Sequence, residues 1–373
     1  MKEIYLDNSA TTRVSKEVVA VMNKAMITDY GNPSSNHELG EKARAEIDDV
    51  RKKIAKEINA SPGEIYFTSG GTESNNVAIL GLAKANPSKK TIVISSIEHP
   101  SIIEPCNYLK SQRYNIVRIG VDSEGLIKIY DLEKVLKDNK DVLLVSVMHV
   151  NNIIGTIQNI NDIGTICKKR GVIFHTDAVQ SFGKIDIDVR KMGIGMLSAS
   201  GHKINGPKGV GFVYIKSGIK IEPLVYGGEQ ERGLRSGTEN VPGILGLGKA
   251  LEMMKKIDKK KIGKVRDEFI NELEKIGGKL NGSRENRIYN NVNMRFDSNS
   301  ENVISWLSSR GIYVSSGSAC ESKKEKEDAT LKAIGLSGRE IRGSIRIVVN
   351  GEIEIRDIGR IVREIKNAIK IKA

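Results

Sequence analysis

A lysine, an acid and a glycine-rich turn stand at the ends of apolar, strand-like runs in this sequence. Lys203 lies in a Gly-rich turn, Asp177 follows a β-branched run, and Ser69–Asn76 opens a predicted helix. Glycines allow close backbone approach, while helix N–H groups and the Thr72 hydroxyl can hold an anion. A lysine amine binds an aldehyde as a Schiff base, and a carboxylate keeps a pyridine nitrogen protonated. Together these groups could hold pyridoxal phosphate.

Each of these features also has an ordinary structural explanation. Lys203 could be a surface lysine, Asp177 a helix cap, and Ser69 or Thr72 the N-cap of a helix. The segment Ser69–Asn76 matches neither the P-loop nor the dinucleotide fingerprint. Taken alone, it favours an anion site and a capping turn equally.

Further polar loops follow the other predicted strands. Four of the five histidines lie in them: His99, His149, His175 and His202. Because the carboxyl ends of parallel strands meet at one edge of a sheet, we expect these loops to converge on one crevice. A lone histidine at a strand end is usually structural, whereas several polar loops together indicate a ligand site.

The elements that must position these residues follow a βαβα rhythm. Helical patterns such as Thr72–Ala85 and Ile160–Lys169 separate β-branched runs bounded by turn residues. This predicts an α/β fold with a mainly parallel seven-stranded sheet flanked by helices. The seven predicted strands are Ile65–Thr68, Thr91–Ser95, Ile116–Ile119, Val142–Val147, Val172–His175, Met196–Ala199 and Gly211–Ile215.

The pattern of predicted secondary structure changes after Glu239. A long charged helical region covers Ala250–Ile276, and shorter elements follow, ending in a helix at about Ile355–Ile371. We therefore predict a large domain at 15–257. A smaller α+β C-terminal domain is predicted from residues 1–14 and 258–373.

Composition excludes several protein classes. The chain has 373 residues, 39% of them hydrophobic, and a formal net charge of +13. No apolar stretch is long enough for a membrane span and no signal peptide is evident, so a cytoplasmic protein is expected. Three cysteines without a Cys-x-x-Cys pair predict no intrinsic metal site. The basic run Lys255–Lys264 is typical of a solvated helix face, and no direct nucleic-acid binding is expected.

Nine ordered segments resemble the cysteine desulfurases, specifically the group with the longer catalytic-cysteine loop. The resemblance runs from Tyr5 to about Arg346, and it implies the fold-type I architecture of pyridoxal-phosphate-dependent class V aminotransferases. The segments are YLDNSATT, GNPSS, SGGTESNN, EHPSI, MHVNNIIGTIQ, HTDAVQSFGK, SGHKINGPKGVG, ERGLRSGTEN and SSGSAC.

The resemblance assigns roles to the residues of these motifs. Lys203 matches the lysine that binds the cofactor and moves the Cα proton, and His99 matches an imidazole that stacks on the ring and assists proton transfer. Asp177 and Gln180 match contacts to the ring nitrogen and ring hydroxyl. The remaining cofactor contacts implied are Gly71, Thr72, Asn152, Ser200 and His202, with Thr238 supplied by the second subunit of a homodimer. Asn152 and Arg346 match the groups that hold the substrate carboxylate.

Cys320 has two interpretations. A lone cysteine is most often a small buried residue, but polar residues flank this one, and nearby lysines favour a thiolate. The resemblance makes Cys320 the nucleophile that takes sulfur from L-cysteine, leaving L-alanine and a persulfide. It also implies an acceptor protein, either an iron–sulfur scaffold whose cluster Cys320 could share or a tRNA-thiolation carrier. We interpret Cys106 and Cys167 as packing residues.

Other activities stay open at this stage. The sequence departs from the family pattern at Ile153, where an acid is usual, at Glu229, where glycine is usual, and after Arg346. The alternatives are a selenocysteine lyase, a small-amino-acid aminotransferase, or a non-catalytic sulfur carrier. The SSGSAC segment favours the desulfurase, because an aminotransferase needs no nucleophilic cysteine.

Overall fold

The computed structural model describes residues 3–317 and 328–370. Within them, seven strands form one sheet, and six of these strands run in the same direction. Gly211–Ile215 is antiparallel to both of its neighbours. Across the sheet the order is Ile65–Thr68, Gly211–Ile215, Met196–Ser200, Ile173–Asp177, Val142–Ser146, Thr91–Ser95 and Asn115–Ile119. The predicted mainly parallel seven-stranded α/β sheet is confirmed.

The sheet is buried on both faces, so its strands are almost continuously apolar. Successive residues of Thr91–Ser95 enter different cores: Val93 packs in one cluster, and Ile92 and Ile94 in the other. Helices complete the two cores on opposite faces. Glu38–Glu57, Ile160–Lys169 and Val241–Met254 contribute to the first, and Pro100–Ser111 and the helical run from Gly71 to Ala85 contribute to the second.

A separate hydrophobic cluster lies around an antiparallel four-stranded sheet. In order, its strands are Ser315–Ser316, Ser344–Val348, Asn291–Arg295 and Lys279–Leu280. The N-terminal residues Ile4 and Leu6 belong to this cluster, and Ile4–Tyr5 pairs with Ile312–Tyr313. The domain limits at residues 14 and 257 stay a prediction.

One predicted helical region was wrong. The single region Ala250–Ile276 is two helices, Val241–Met254 and Lys259–Lys275, and the Asp258 side chain caps the second. The helix predicted at Thr72–Ala85 is confirmed: it runs from Gly71 to Ala85 and contains a π-helical segment at Val77–Gly81. The other α-helices are Lys16–Ile27, Ile129–Asp138, Ser300–Ser308, Ala329–Ala333, Gly338–Arg342 and Ile355–Ile369.

None of the described helices combines the length and the apolar character that crossing a bilayer would require.

Candidate active site

A cavity of about 290 Å³ lies at the carboxyl ends of the parallel strands. Asp177 and Ser200 are the last residues of two adjacent strands, which places their side chains at this edge. Ten predicted site residues line the cavity: Gly71, Thr72, His99, Asn152, Asp177, Gln180, Ser200, His202, Lys203 and Arg346. The structure therefore brings together residues that are up to 275 positions apart in the chain (346 − 71).

Two predicted site residues are not among the residues lining this cavity. Thr238 is exposed and lies outside the cavity of its own chain. Cys320 lies outside the described residues. Cys106 and Cys167 are fully buried, and burial raises the pKa of each thiol to about 12. The interpretation of these two cysteines as packing residues fits their burial.

Lys203 enters the cavity from a short 3₁₀ turn, Gly201–Lys203, that directly follows the strand Met196–Ser200. Its Nζ donates to the backbone carbonyls of Ser9 and Ala10, at 2.5 and 2.7 Å. Ser9 and Ala10 themselves line the cavity. The N-terminal segment thus supplies the acceptors that orient the lysine, and the surface-lysine alternative is wrong.

Asp177 is 4% exposed, and both of its carboxylate oxygens accept hydrogen bonds. Oδ1 accepts from the backbone N–H of Val179 at 2.9 Å, and Oδ2 accepts from Asn75 Nδ2 at 2.8 Å. Asn75 Nδ2 also donates to Ser101 Oγ at 2.8 Å, while Asn75 Oδ1 has no partner among the described residues. Asn75 therefore links the acid to the residue beside His99.

The two cavity histidines are held in the neutral form. Burial lowers the pKa of His202 to about 4, and the nearby lysines Lys203, Lys208 and Lys184 lower it further. Burial also lowers the pKa of His99, which the charge of Asp177 opposes. His99 Nδ1 accepts from the backbone N–H of Ser101 at 3.1 Å, so the ring proton is assigned to Nε2.

The glycine-rich segment forms an open helix N-terminus at the cavity. The helix begins at Gly71, and its N-cap Gly70 provides no side-chain hydrogen bond, so the prediction of Ser69 or Thr72 as N-cap is wrong. A Cβ on Gly71 would lie only 2.5 Å from Val179 Cγ2, so this position has no room for a side chain. The first helical N–H groups and the Thr72 and Ser200 hydroxyls therefore offer donors to an anion.

Arg346 is a second basic residue that lines the cavity, in addition to Lys203. It is 1% exposed, and it lies on the strand Ser344–Val348. Its guanidinium donates to Asp7 Oδ1 at 2.8 Å, to the Asn152 carbonyl at 3.0 Å and to Ser315 Oγ at 3.2 Å. Its Nε has no partner among the described residues. The site therefore contains a buried cation with a donor still available to a carboxylate.

Sequence reasoning placed too many histidines in the crevice. His175 lies inside the strand Ile173–Asp177, where it contacts Ser146 Oγ at 2.9 Å and Ser198 Oγ at 3.0 Å on the flanking strands. His149 is buried but is not a lining residue of the cavity. The expectation that four histidines converge was wrong, because polar strand residues can be satisfied by cross-strand partners.

Two of the departures from the family pattern, Ile153 and Glu229, are not among the residues that line the 290 Å³ cavity. Ile153 is 5% exposed and packs in an apolar cluster with residues such as Ile97 and Leu331, outside the cavity lining. Glu229 adopts a left-handed backbone conformation with φ of 64°, a conformation that glycine adopts more readily. An isoleucine at 153 therefore leaves the lining of the cavity unchanged.

Glu98 is a buried acid immediately before His99, and it gives the protein a testable pH dependence. Its Oε1 accepts from Ser95 Oγ at 2.5 Å and from the Met148 N–H at 2.8 Å, and burial raises its pKa to about 8. Because the folded-state pKa lies above the unfolded value, the stabilising effect of protonated Glu98 is complete below about pH 4.5. It is lost as the pH rises to about 8, at roughly 1.4 kcal/mol per pH unit.

We expect Glu98→Gln to remove this slope, so that the variant gains stability relative to wild type between pH 5 and pH 8. Urea unfolding at pH 5, 6.5 and 8 measures the difference. Glu64→Gln is the matched control. Burial raises the pKa of Glu64, but hydrogen bonds from Ser217, Ser61 and Arg190 lower it more, so its contribution is lost on acidification instead. A Glu98→Gln profile parallel to wild type would contradict the assignment.

Comparison with known proteins identifies the family. A model of the aminotransferase class-V family matches residues 4–352, so the chain belongs to this family. The chain is 44% identical to "Cysteine desulfurase IscS" of Methanosarcina thermophila, over 99% of this chain and 92% of that protein. The predicted resemblance to cysteine desulfurases is confirmed.

Solved structures agree with the fold. A structure titled "NIFS-LIKE PROTEIN" superposes with a TM-score of 0.92 at 36% identity, covering 98% of this chain and 99% of that one. A second, titled "SspA in complex with cysteine", gives a TM-score of 0.85 at 37% identity and covers 93% of this chain and 99% of its own. The whole architecture, including the small sheet that carries Arg346, is therefore common to these proteins.

Proposed function

We propose that this cysteine desulfurase holds pyridoxal phosphate on Lys203, converts L-cysteine into L-alanine, and transfers the sulfur to Cys320 as a persulfide. One observation carries the proposal: a single cavity assembles a lysine, a buried acid, an anion cradle and a buried arginine. The solved relative in complex with cysteine supports L-cysteine as the substrate.

The residues present fit this cofactor. Gly71 has no room for a Cβ, so backbone amides and the Thr72, Ser200 and His202 side chains are available to a phosphate. Asp177 is fixed by Asn75 and Val179, as a partner of a ring nitrogen must be. When bound, pyridoxal phosphate supplies an aldehyde for an amine and a ring that accepts electrons from the substrate Cα.

The protein side chains carry the remaining steps. Arg346 and Asn152 hold the substrate carboxylate, and Arg346 suits it because a guanidinium matches a planar carboxylate. The Lys203 nitrogen takes the proton from Cα and later returns one, and neutral His99 assists this transfer. The Cys320 thiolate attacks the substrate sulfur: an S–S bond forms, the C–S bond breaks, and its electron pair stays with the carbon fragment. Protonation of that fragment gives alanine.

The proposal includes a homodimer and an acceptor protein. Thr238 is exposed and is not among the residues that line the cavity of its own chain, which favours a role in the cavity of a second copy. A wider groove of about 900 Å³ leads from Thr72 and His99 to the exposed Tyr108, which is 58% exposed. An acceptor, such as an iron–sulfur scaffold or a tRNA-thiolation carrier, then receives the persulfide sulfur. A monomer mass by light scattering would contradict the shared site.

The experiment that tests this proposal is a product analysis. Purified protein is incubated with L-cysteine and a thiol reductant, and alanine and sulfide are quantified together. Equal amounts of the two products, and a sulfur-sized mass increase on the Cys320 peptide before reductant is added, are expected. Pyruvate and ammonia, or amino transfer to a keto acid, would instead favour a lyase or an aminotransferase. A preference for selenocysteine over cysteine would favour the selenocysteine lyase.

A further inference from the structure

A second lysine lies buried beside Lys203. Lys184 is 5% exposed, and its Nζ donates to Gln180 Oε1 at 3.4 Å. In the part of the chain that the structure describes, no carboxylate contributes to its electrostatics. Burial, and to a smaller extent the charge of Lys203, lowers its pKa to about 7. An isolated ammonium is costly to bury, so packing alone does not explain a lysine here.

Lys184 and Lys203 meet at a second cavity. This cavity of about 130 Å³ is lined by both lysines and by polar side chains that include Asn8, Thr12 and Asn205. Lys203 also lines the 290 Å³ cavity, so its side chain belongs to both spaces. The smaller cavity has polar groups beside the two lysines and is wide enough for water, which offers a route for protons to the lysine pair.

A chain of hydrogen bonds also joins the two lysines. Lys184 donates to the amide oxygen of Gln180, which directs the amide nitrogen of Gln180 to the Ser9 carbonyl at 3.0 Å. The same carbonyl accepts from Lys203 Nζ at 2.5 Å. The Gln180 amide and the Ser9 carbonyl therefore connect Lys184 to Lys203.

We propose that Lys184 is a positioning residue for Lys203: it lies buried at the same cavity and is joined to Lys203 through Gln180 and Ser9, and this arrangement makes the Lys203 amine a better nucleophile. The inference rests on the proposed function, because it concerns the amine that binds the cofactor aldehyde. Only a neutral amine has the lone pair that forms a C=N bond with an aldehyde, a condensation that releases one water. Two coupled amines lose their protons in two steps that belong to the pair.

The other charged and titratable groups of the two cavities do not replace Lys184. His99 and His202 are held neutral by burial, and Arg346 already pairs with Asp7. Glu352 and Tyr289 also line the smaller cavity, and Glu352 is exposed, where solvent screens its charge.

The test measures the reactivity of Lys203 in the full chain prepared without cofactor. Acetic anhydride labelling across pH 6–11, read by mass spectrometry of the Lys203 peptide, gives an apparent pKa for this amine. We expect Lys184→Met to raise that pKa by roughly one unit and to slow Lys203 labelling about 10-fold at pH 7.5. The rate at which added pyridoxal phosphate gives a visible absorbance band should fall by the same factor.

Two variants separate this effect from a loss of structure. Lys184→Arg keeps a cation at the site and should preserve fast labelling. Lys208→Met removes an exposed lysine close to Lys203 in sequence and should leave the labelling of Lys203 unchanged. Equal Lys203 labelling in wild type and a folded Lys184→Met would overturn the proposal. If that variant does not fold, a wild-type Lys203 that titrates like free lysine would overturn it equally. Neither readout requires L-cysteine, so failed desulfuration would leave this result interpretable.

Discussion

Replacing Lys203 by alanine is expected to lower alanine release from L-cysteine by about 10³-fold or more. The large effect follows from two losses at one atom, because in the proposed function Nζ is both the amine that binds the cofactor and the base that takes the Cα proton. In the structure this nitrogen is fixed between the Ser9 and Ala10 carbonyls. Amino-acid analysis of the products and the visible absorbance of the purified protein measure the two losses separately.

Replacing a second lysine, Lys208, shows whether the loss of activity in Lys203→Ala comes only from removing a positive charge. Lys208 is an exposed lysine five residues after Lys203 (208 − 203), so Lys208→Ala should retain both the absorbance and the activity. Lys203→Ala should remain folded, because Ser9 and Ala10 line the 290 Å³ cavity, where water can donate to the two carbonyls that the lysine leaves. Turnover within a few-fold of wild type in a folded Lys203→Ala would contradict the assignment.

The strands and the large sheet could be predicted from sequence because their physical signal is local. A strand buried on both faces reads as a short β-branched run between turn residues, and Thr91–Ser95 was predicted to the residue. The strand Ile173–Asp177 was predicted too short at its polar end. Its last residues are polar because they build the site and cross-strand hydrogen bonds, so a search for apolar runs stops before them.

Sequence reasoning missed other residues of the site for a different reason. Ser9 and Ala10 contribute backbone carbonyls to Lys203, and a carbonyl has no residue-type signature. Asn75 and Ser101 connect Asp177 to His99 through contacts between a helix and a strand end that are far apart in sequence. Both lie within the motifs SGGTESNN and EHPSI, so the signal that could have found them was their position beside assigned residues.

The small sheet also explains why Arg346 could be named from a motif but not placed by periodicity. Its strand pairs with Ser315–Ser316 and with Asn291–Arg295, and the guanidinium reaches the N-terminal residue Asp7. The side of the cavity that contains Arg346 thus depends on four segments, and one of them, at Asp7, is 339 residues from Arg346 in the chain. Sequence spacing alone does not show that these segments come together in space.

Cys320→Ala is expected to abolish persulfide formation and to reduce reductant-dependent sulfide release by about 10² to 10³-fold, with the visible absorbance retained. The structure favours Cys320 as the nucleophile because it makes the other two cysteines unsuitable for that role. Cys106 and Cys167 are fully buried, and burial raises the pKa of both thiols to about 12, so neither forms a thiolate near neutral pH. Ser315, which accepts from Arg346, is only five positions before Cys320 (320 − 315).

Cys106→Ala and Cys167→Ala are the matched controls for this experiment. Each removes one buried sulfur, which should cost about 1 kcal/mol of folding free energy and leave sulfide release near the wild-type rate. The informative comparison is therefore between three single variants measured for sulfide, alanine and absorbance. If Cys320→Ala releases alanine and sulfide as fast as its two controls, sulfur leaves the substrate without a protein nucleophile. The site would then act as a lyase, with Lys203, Asp177 and Arg346 still in the same roles.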